Sequence, residues 1–256
     1  MSSGSIPITP ALGVVVAVLL VAAAAVVRLG GIGHYRPILV AGVRGAVQLL
    51  AVALVIAYIV GFGALVGLFI FVMFAVATRT AGRRITRDRT WWWTALPIAA
   101  GVAPVVALLL VSAAVPVTGL VLIPLVGQLI GGALTATALA GRRLLDELSQ
   151  RKGEVEAALA LGMTERDARM EVARPVAGSA LVPALDQTRT VGTVTLPGAF
   201  VGMMLGGAGP VEAGLVQLFV LVGLLAVESV AIVVVLEIVA RGLLTRTTEP
   251  ARRRRR

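Results

Sequence analysis

Apolar residues come in long runs, and the polar positions fall between those runs rather than alternating within them. A helix that crosses a bilayer needs about 20 mostly apolar residues. Seven segments fit that pattern, at roughly 9–27, 38–60, 62–78, 95–115, 119–140, 190–207 and 214–240. Alternating strands of about ten residues, the mark of a membrane barrel, are absent. The pattern predicts an all-α integral membrane protein with seven transmembrane helices in a single domain over 1–256. The first run does not have the form of a signal peptide, because no residue before Arg28 is charged. In the sixth, Pro197 and several glycines interrupt the run, which is tolerated where neighbours or a cavity satisfy the freed backbone groups. Pro197, Gly198 and Gly202 therefore mark either a broken helix or a small-residue packing face, including one between two copies of the chain.

The basic residues orient the spans. Of 23 lysines and arginines, 22 fall in 28–37, 79–94, 141–189 and 241–256. With seven spans these four regions share one side. By the positive-inside rule that side is the cytoplasm, with the N-terminus outside and the C-terminus inside. Trp91, Trp92 and Trp93 precede the fourth span, where indoles suit the headgroup level.

Composition agrees. Hydrophobic residues make up 58% of the chain and charged residues 14%, against about a quarter charged in soluble domains, and the mean hydropathy is +0.98. With no cysteine, disulfides and thiolate chemistry are excluded, and with His34 as the single histidine so are histidine-cluster metal sites. The net charge of +10 is explained by the basic side of the membrane. The run Arg252–Arg256 reads as a solvated tail near anionic headgroups, not as a nucleic-acid site.

The longest polar stretch, 141–189, is too short for its own core. Leu144, Leu145, Leu148, Val155 and Leu159 recur near helical spacing, predicting a helix over 144–161. Gly162 then stops it, Thr164 with Asp167 caps a second short helix, and Pro175 closes or bends that one. The expected product is a bent helical knob on the cytosolic side. Its sequence, Glu156-Ala157-Ala158, three residues, Gly162, nine residues, Val172, then Arg174-Pro175, resembles the EAA loop of ABC transporter permeases, with Val for Ile and Arg for Leu. The resemblance implies that Glu156, Ala157, Ala158 and Gly162 form a coupling helix docked in a separate ATPase subunit. The only lysine, Lys152, does not stand in a P-loop, so this chain carries no ATP-binding motif of its own.

A closer resemblance covers residues from about 38 to 240. Arg44-Gly45 with Gln48-Leu49, Pro124-Leu125 with Gly127 and Gly131, Glu156 to Gly162, and Leu196-Pro197-Gly198 with Gly202, Gly207, Pro210 and Gln217 are similar to segments of the Fet-type iron-export permeases. That family includes the plant aluminium-tolerance permeases. The pattern departs at Gln128, where the family has Met, at Gly132, where it has Asn, and at Ala199 to Met203, which replace a line containing threonine and glutamine. Those changes put the family's substrate in question for this chain.

Arg44 and Glu228 lie within spans, where a charge is costly unless it is paired or faces a wet cavity. They read either as part of a translocation path with Gln48 and Gln128, or as a structural pair locking two helices. Glu237, near the inner end of the last span, reads as a snorkelling interfacial residue. For a metal cargo, Glu228 and amide oxygens are hard ligands. The sequence assigns no resident metal ligands and no cofactor; ATP belongs to the partner subunit.

The expected protein is the permease subunit of an ABC transporter in the cell (inner or plasma) membrane. It would be a homodimer served by ATPase subunits and would export iron or another metal ion. The alternative is a proton-coupled secondary transporter using Glu228. An enzyme is disfavoured, since no Ser/His pair or metal triad appears in the spans.

Overall fold

The computed structural model describes residues 10–31, 33–59, 61–113 and 115–247. Ser3 and the Arg252–Arg256 tail lie outside the described residues. Among those described, regular structure is helical, and the one β feature is an isolated bridge between Val191 and Thr195. Among the described residues, six helices are long and apolar enough to cross a membrane.

The chain divides into two units at Phe62. The first holds α1 (Pro10–Leu29) and α2 (Tyr35–Ile59). They pack closely at Gly42, where a Cβ would meet the Leu20 side chain at 2.5 Å. Most of their apolar side chains are exposed, as expected of surfaces facing lipid or protein rather than water.

The second unit begins with α3 (Gly63–Ile85), α4 (Ala95–Ser112) and α5 (Gly119–Gln150). The short helices α6 (Lys152–Ala160), α7 (Glu165–Ala177), α8 (Val182–Thr190) and α9 (Gly198–Leu205) follow, and α10 (Pro210–Ala240) ends it. Close approaches fix the directions. Gly127 faces Met73 and Gly141 faces Ile85, so α3 and α5 run parallel. Gly223 faces Leu129 while Arg246, just past α10, reaches Asp146, so α10 runs parallel to α5 as well. α4 opposes them: Gly101 meets Val227 and Val105 meets Gly223.

Two consequences follow. The C-terminal ends of α3, α5 and α10 share one end of the unit, which gathers Arg83, Arg84, Arg142, Arg143, Arg241 and Arg246 there, in line with the charge segregation read from the sequence. The chain must also return to the opposite end between α5 and α10, and 151–209 makes that return.

The return is not the continuous sixth helix expected over 190–207. α8 ends at Thr190 and α9 starts at Gly198, with a turn between them in which Gly192 takes φ +78°. α9, with eight residues, is about 12 Å long, far short of a bilayer core of about 30 Å. The cause is local. Thr190, Val191, Thr193, Val194 and Thr195 crowd β-branched side chains into six positions, and Pro197 supplies no backbone N–H.

The helix expected over 144–161 also differs. Its first half is the continuation of α5, and the break falls at Arg151. Arg151 holds the corner with its guanidinium, donating to Glu147 at 3.2 Å and to both carboxylate oxygens of Glu154. Those hydrogen bonds hold the Glu154 carboxyl below the usual range and raise Arg151 further.

The unit's interior has two apolar clusters. One joins α3, α4, α5 and α10 around Ile98, Leu129 and Val227. The other, toward the basic end, joins Leu144, Met170, Ala173, Leu236 and Leu244. The tryptophans sit in a 3₁₀ turn (Arg89–Thr94) entering α4, with Trp92 and Trp93 stacked at 4.3 Å.

Candidate functional site

Gln128 and Glu228 line one cavity of about 480 Å³, framed by α5, α8 and α10. Gly131 and Gly132 on α5 leave its wall open. A Cβ at Gly132 would come within 2.9 Å of the Glu228 carboxylate and 2.5 Å of Leu224. The absence of a side chain at 132 is what gives the carboxylate its room. Glu228 is half-buried and makes no ion pair or hydrogen bond among the described residues. Thr135 lines the same cavity, although its hydroxyl donates to the Gly131 carbonyl at 2.9 Å.

Gln187 of α8 completes the polar lining, and the sequence reading missed it. In sequence it stands in the polar stretch ending at 189. In the structure α8 packs against α10, so the return toward the far end begins near Val182. The apolar run Leu181-Val182-Pro183-Ala184-Leu185 was the available signal. The donor set is thus one carboxylate, two amides and a hydroxyl, all oxygen ligands suited to hard cations. No cluster of three or more acidic or histidine residues able to hold a metal occurs among the described residues.

Arg44 and Gln48 stand one turn apart on α2, in the first unit, along a shallow groove with Val40, Val43 and Val47. A second polar feature lies near the start of α10. Gln217 is buried, and both its amide atoms lack a hydrogen-bond partner. Such groups are rare in interiors. It entered the sequence reading only as a matching motif position.

The knob takes the expected form. Gly162 adopts φ +92° after α6, and Met163 N–H donates to the Ala158 carbonyl at 3.2 Å while Gly162 N–H donates to Leu159 at 2.9 Å. This is a Schellman stop that only glycine makes cheaply. The Thr164 hydroxyl then caps α7 by accepting from Asp167 N–H. Pro175 lies inside α7, two residues before its end. Glu156 and Ala157 are exposed and Ala158 half-buried, while Leu161 at the tip is 86% exposed.

Glu237 is not a free snorkelling residue. Its carboxylate receives both Nε and Nη2 of Arg166 at 2.7 Å and Nε of Arg241 at 2.6 Å. That carboxylate raises the pKa of the Arg166 guanidinium and keeps it charged. α7 is therefore clamped to the helix that carries Glu228, whose position is nine residues, or about 13.5 Å, along α10.

Pro197 caps α9, and Gly198 and Gly202 lie within it. A Cβ at either glycine would meet nothing within 4 Å, and α9 buries no residue. Within one chain these residues mark a helix break, and their small-residue face is unused.

The chain matches, over residues 11–244, the model described as "Uncharacterised protein family (UPF0014)". Among its relatives is the UPF0014 membrane protein STAR2 of Oryza sativa subsp. japonica, 37% identical over 160 residues, 62% of this chain and 56% of the relative. Protein ALUMINUM SENSITIVE 3 of Arabidopsis thaliana is 38% identical over 162 residues, 62% of this chain and 59% of the relative. The chain thus matches less than two thirds of the length of these plant proteins. The probable iron export permease protein FetB of Escherichia coli (strain K12) is 28% identical over 194 residues, 75% of each chain. No solved structure matches.

Proposed function

Since the chain belongs to the UPF0014 family, we propose that it is the membrane-spanning permease subunit of an ABC transporter, exporting a metal ion and driven by a separate ATPase subunit. Iron is the first candidate cargo, because the Escherichia coli relative is named a probable iron export permease. In this reading the protein is a multi-pass protein of the cell membrane. The broken return through α8 and α9 is the seventh crossing, the N-terminus is outside, and the basic end faces the cytoplasm.

The observation that carries the proposal is the knob and its attachment. α6 and the turn after it project Glu156, Ala157 and Leu161, while Arg166 of α7 grips Glu237 of α10. A partner that moves the knob moves the helix bearing Glu228. Two copies would pair, each with an ATPase subunit; the unburied α9 with Gly198 and Gly202 offers a surface for that pairing. Gln128, Gln187 and Glu228 would hold the cargo weakly, as release requires.

The test is co-purification of the ATPase subunit, together with ATP-driven iron transport in proteoliposomes. Leu161→Asp alters the exposed tip without touching the fold, whereas Gly162→Val disrupts the positive-φ stop. Both should abolish partner capture or uncouple hydrolysis while the permease still inserts. Retention of binding and transport in both refutes the coupling role. One observation favours the proton-coupled alternative: Glu228 has no ionic partner among the described residues and is free to carry a proton. Uptake driven by a proton gradient without ATP would establish that reading instead.

A further inference from the structure

At the basic end a second cavity, of about 590 Å³, is lined by Arg83, Arg84, Arg87 and Arg246 together with Asp88 and Thr247. Four arginines thus line the cavity against two carboxylates, Asp88 in its wall and Asp146 beside Arg246, and both are already engaged. Asp88 accepts from the Thr247 backbone N–H at 2.6 Å and from its hydroxyl at 2.8 Å. Arg246 is held in place by Asp146 at 2.5 Å and by the Ile85 carbonyl at 2.9 Å. Arg83 donates to the Arg87 carbonyl at 3.0 Å and lies over the Trp91 ring at 5.5 Å. Arg84 and Arg87 have no carboxylate partner among the described residues. Arg83 and Arg84 do complement the C-terminal carbonyls of α3, and Arg246 pairs with Asp146, but that leaves Arg87 unexplained.

The 3₁₀ turn that follows Asp88 carries the indoles. Trp92 and Trp93 line an apolar cleft of about 310 Å³ with Phe74, Leu96 and Ala99. A cluster of arginines and an apolar cleft therefore flank one tryptophan turn, the residue type that settles at headgroup depth. We propose that the arginine cavity binds the phosphate of an anionic phospholipid headgroup, with an acyl chain along the Trp92–Trp93 cleft. Basic pockets between spanning helices recognise lipid phosphates in this way. A soluble phosphate compound offers the same charge but has nothing to place in the cleft.

The three tryptophans of the chain are Trp91, Trp92 and Trp93, so their fluorescence reports this one place. The full-length protein in mixed micelles is titrated with phosphatidylglycerol or phosphatidylcholine, each brominated in its acyl chains. The expected result is quenching at a lower mole fraction by phosphatidylglycerol. Arg84→Gln/Arg87→Gln should weaken that preference about thirtyfold, while Arg142→Gln/Arg143→Gln, which removes the same charge elsewhere, should leave it intact. Equal quenching by both lipids, or equal loss in both double variants, overturns the site. Abolition of the preference by millimolar glycerol 3-phosphate would make the ligand a soluble phosphate compound and overturn the lipid assignment. None of these outcomes depends on the transport reading.

Discussion

Replacing Gly101 by alanine tests the close backbone crossing of α4 and α10 behind the candidate site. The added Cβ would sit 2.6 Å from the Val227 carbonyl oxygen and 3.2 Å from Val227 Cγ1. Carbon–oxygen contacts across helices settle near 3.3 Å or more, so α4 and α10 must separate by roughly 0.7 Å. The obstacle is backbone and cannot rotate away, which places the cost near the upper end of overpacking penalties, about 3 kcal/mol. Alanine's better helix propensity returns about 1 kcal/mol, for a net loss of about 2 kcal/mol. In a chain of this size that lowers Tm by about 4–8 °C. Gly67→Ala is the control, since a Cβ there meets nothing within 4 Å; it should leave Tm unchanged or raise it. Thermal unfolding of both variants in one detergent decides the matter. A Gly101→Ala protein melting at or above wild type would refute the close α4–α10 approach and, with it, the placement of Val227 and Glu228.

Gly132→Ala should cost little stability, because Leu224 and Glu228 can rotate away from the new methyl, yet it should reduce transport by displacing the carboxylate; normal transport would sever the cavity from function. Glu228→Gln should impair transport more than stability, and near-normal flux in proteoliposomes would remove Glu228 from the mechanism. Glu237→Gln weakens the Arg166 clamp by removing the charge that both guanidinium nitrogens contact; ATPase binding should persist while hydrolysis and transport separate, and unchanged coupling would argue against the clamp. Single cysteines at Ser3 and Thr247 should be labelled by an impermeant thiol reagent from outside and inside respectively; the reverse pattern would invert the proposed orientation.

The sequence carried the features that depend on composition along one helix. Long apolar runs located α1 to α5 and α10, and the arginines at the ends of α3, α5 and α10 gathered at one end as their spacing implied, whereas Arg189, read with them, stands at the end of α8 on the return. Gly162, Thr164 and Asp167 were legible because a helix stop and a cap are local chemistry. What required three dimensions was any partner far along the chain. Nothing near Glu237 in sequence announces Arg166, 71 residues away, and Gln187 reads as a polar surface residue until α8 is seen against α10. The extent of the sixth span failed for a different reason. Hydropathy counts apolar side chains, but Thr190 to Thr195 and Pro197 oppose the helix through their backbone and β-carbon sterics.

The attachment of the residues after α10 to the turn after α3 sets an order of assembly. Thr90 and Asp88 find their partners at Thr245 and Thr247, 155 and 159 residues later. At a synthesis rate of about 5–20 residues per second, the turn waits roughly 8–30 s for them. Throughout that interval its arginines lack the segment that fixes Asp88. The basic end is therefore the last part of the unit to close during biogenesis, and a chain truncated after Ala240 would keep α3 to α10 but lack that fastening.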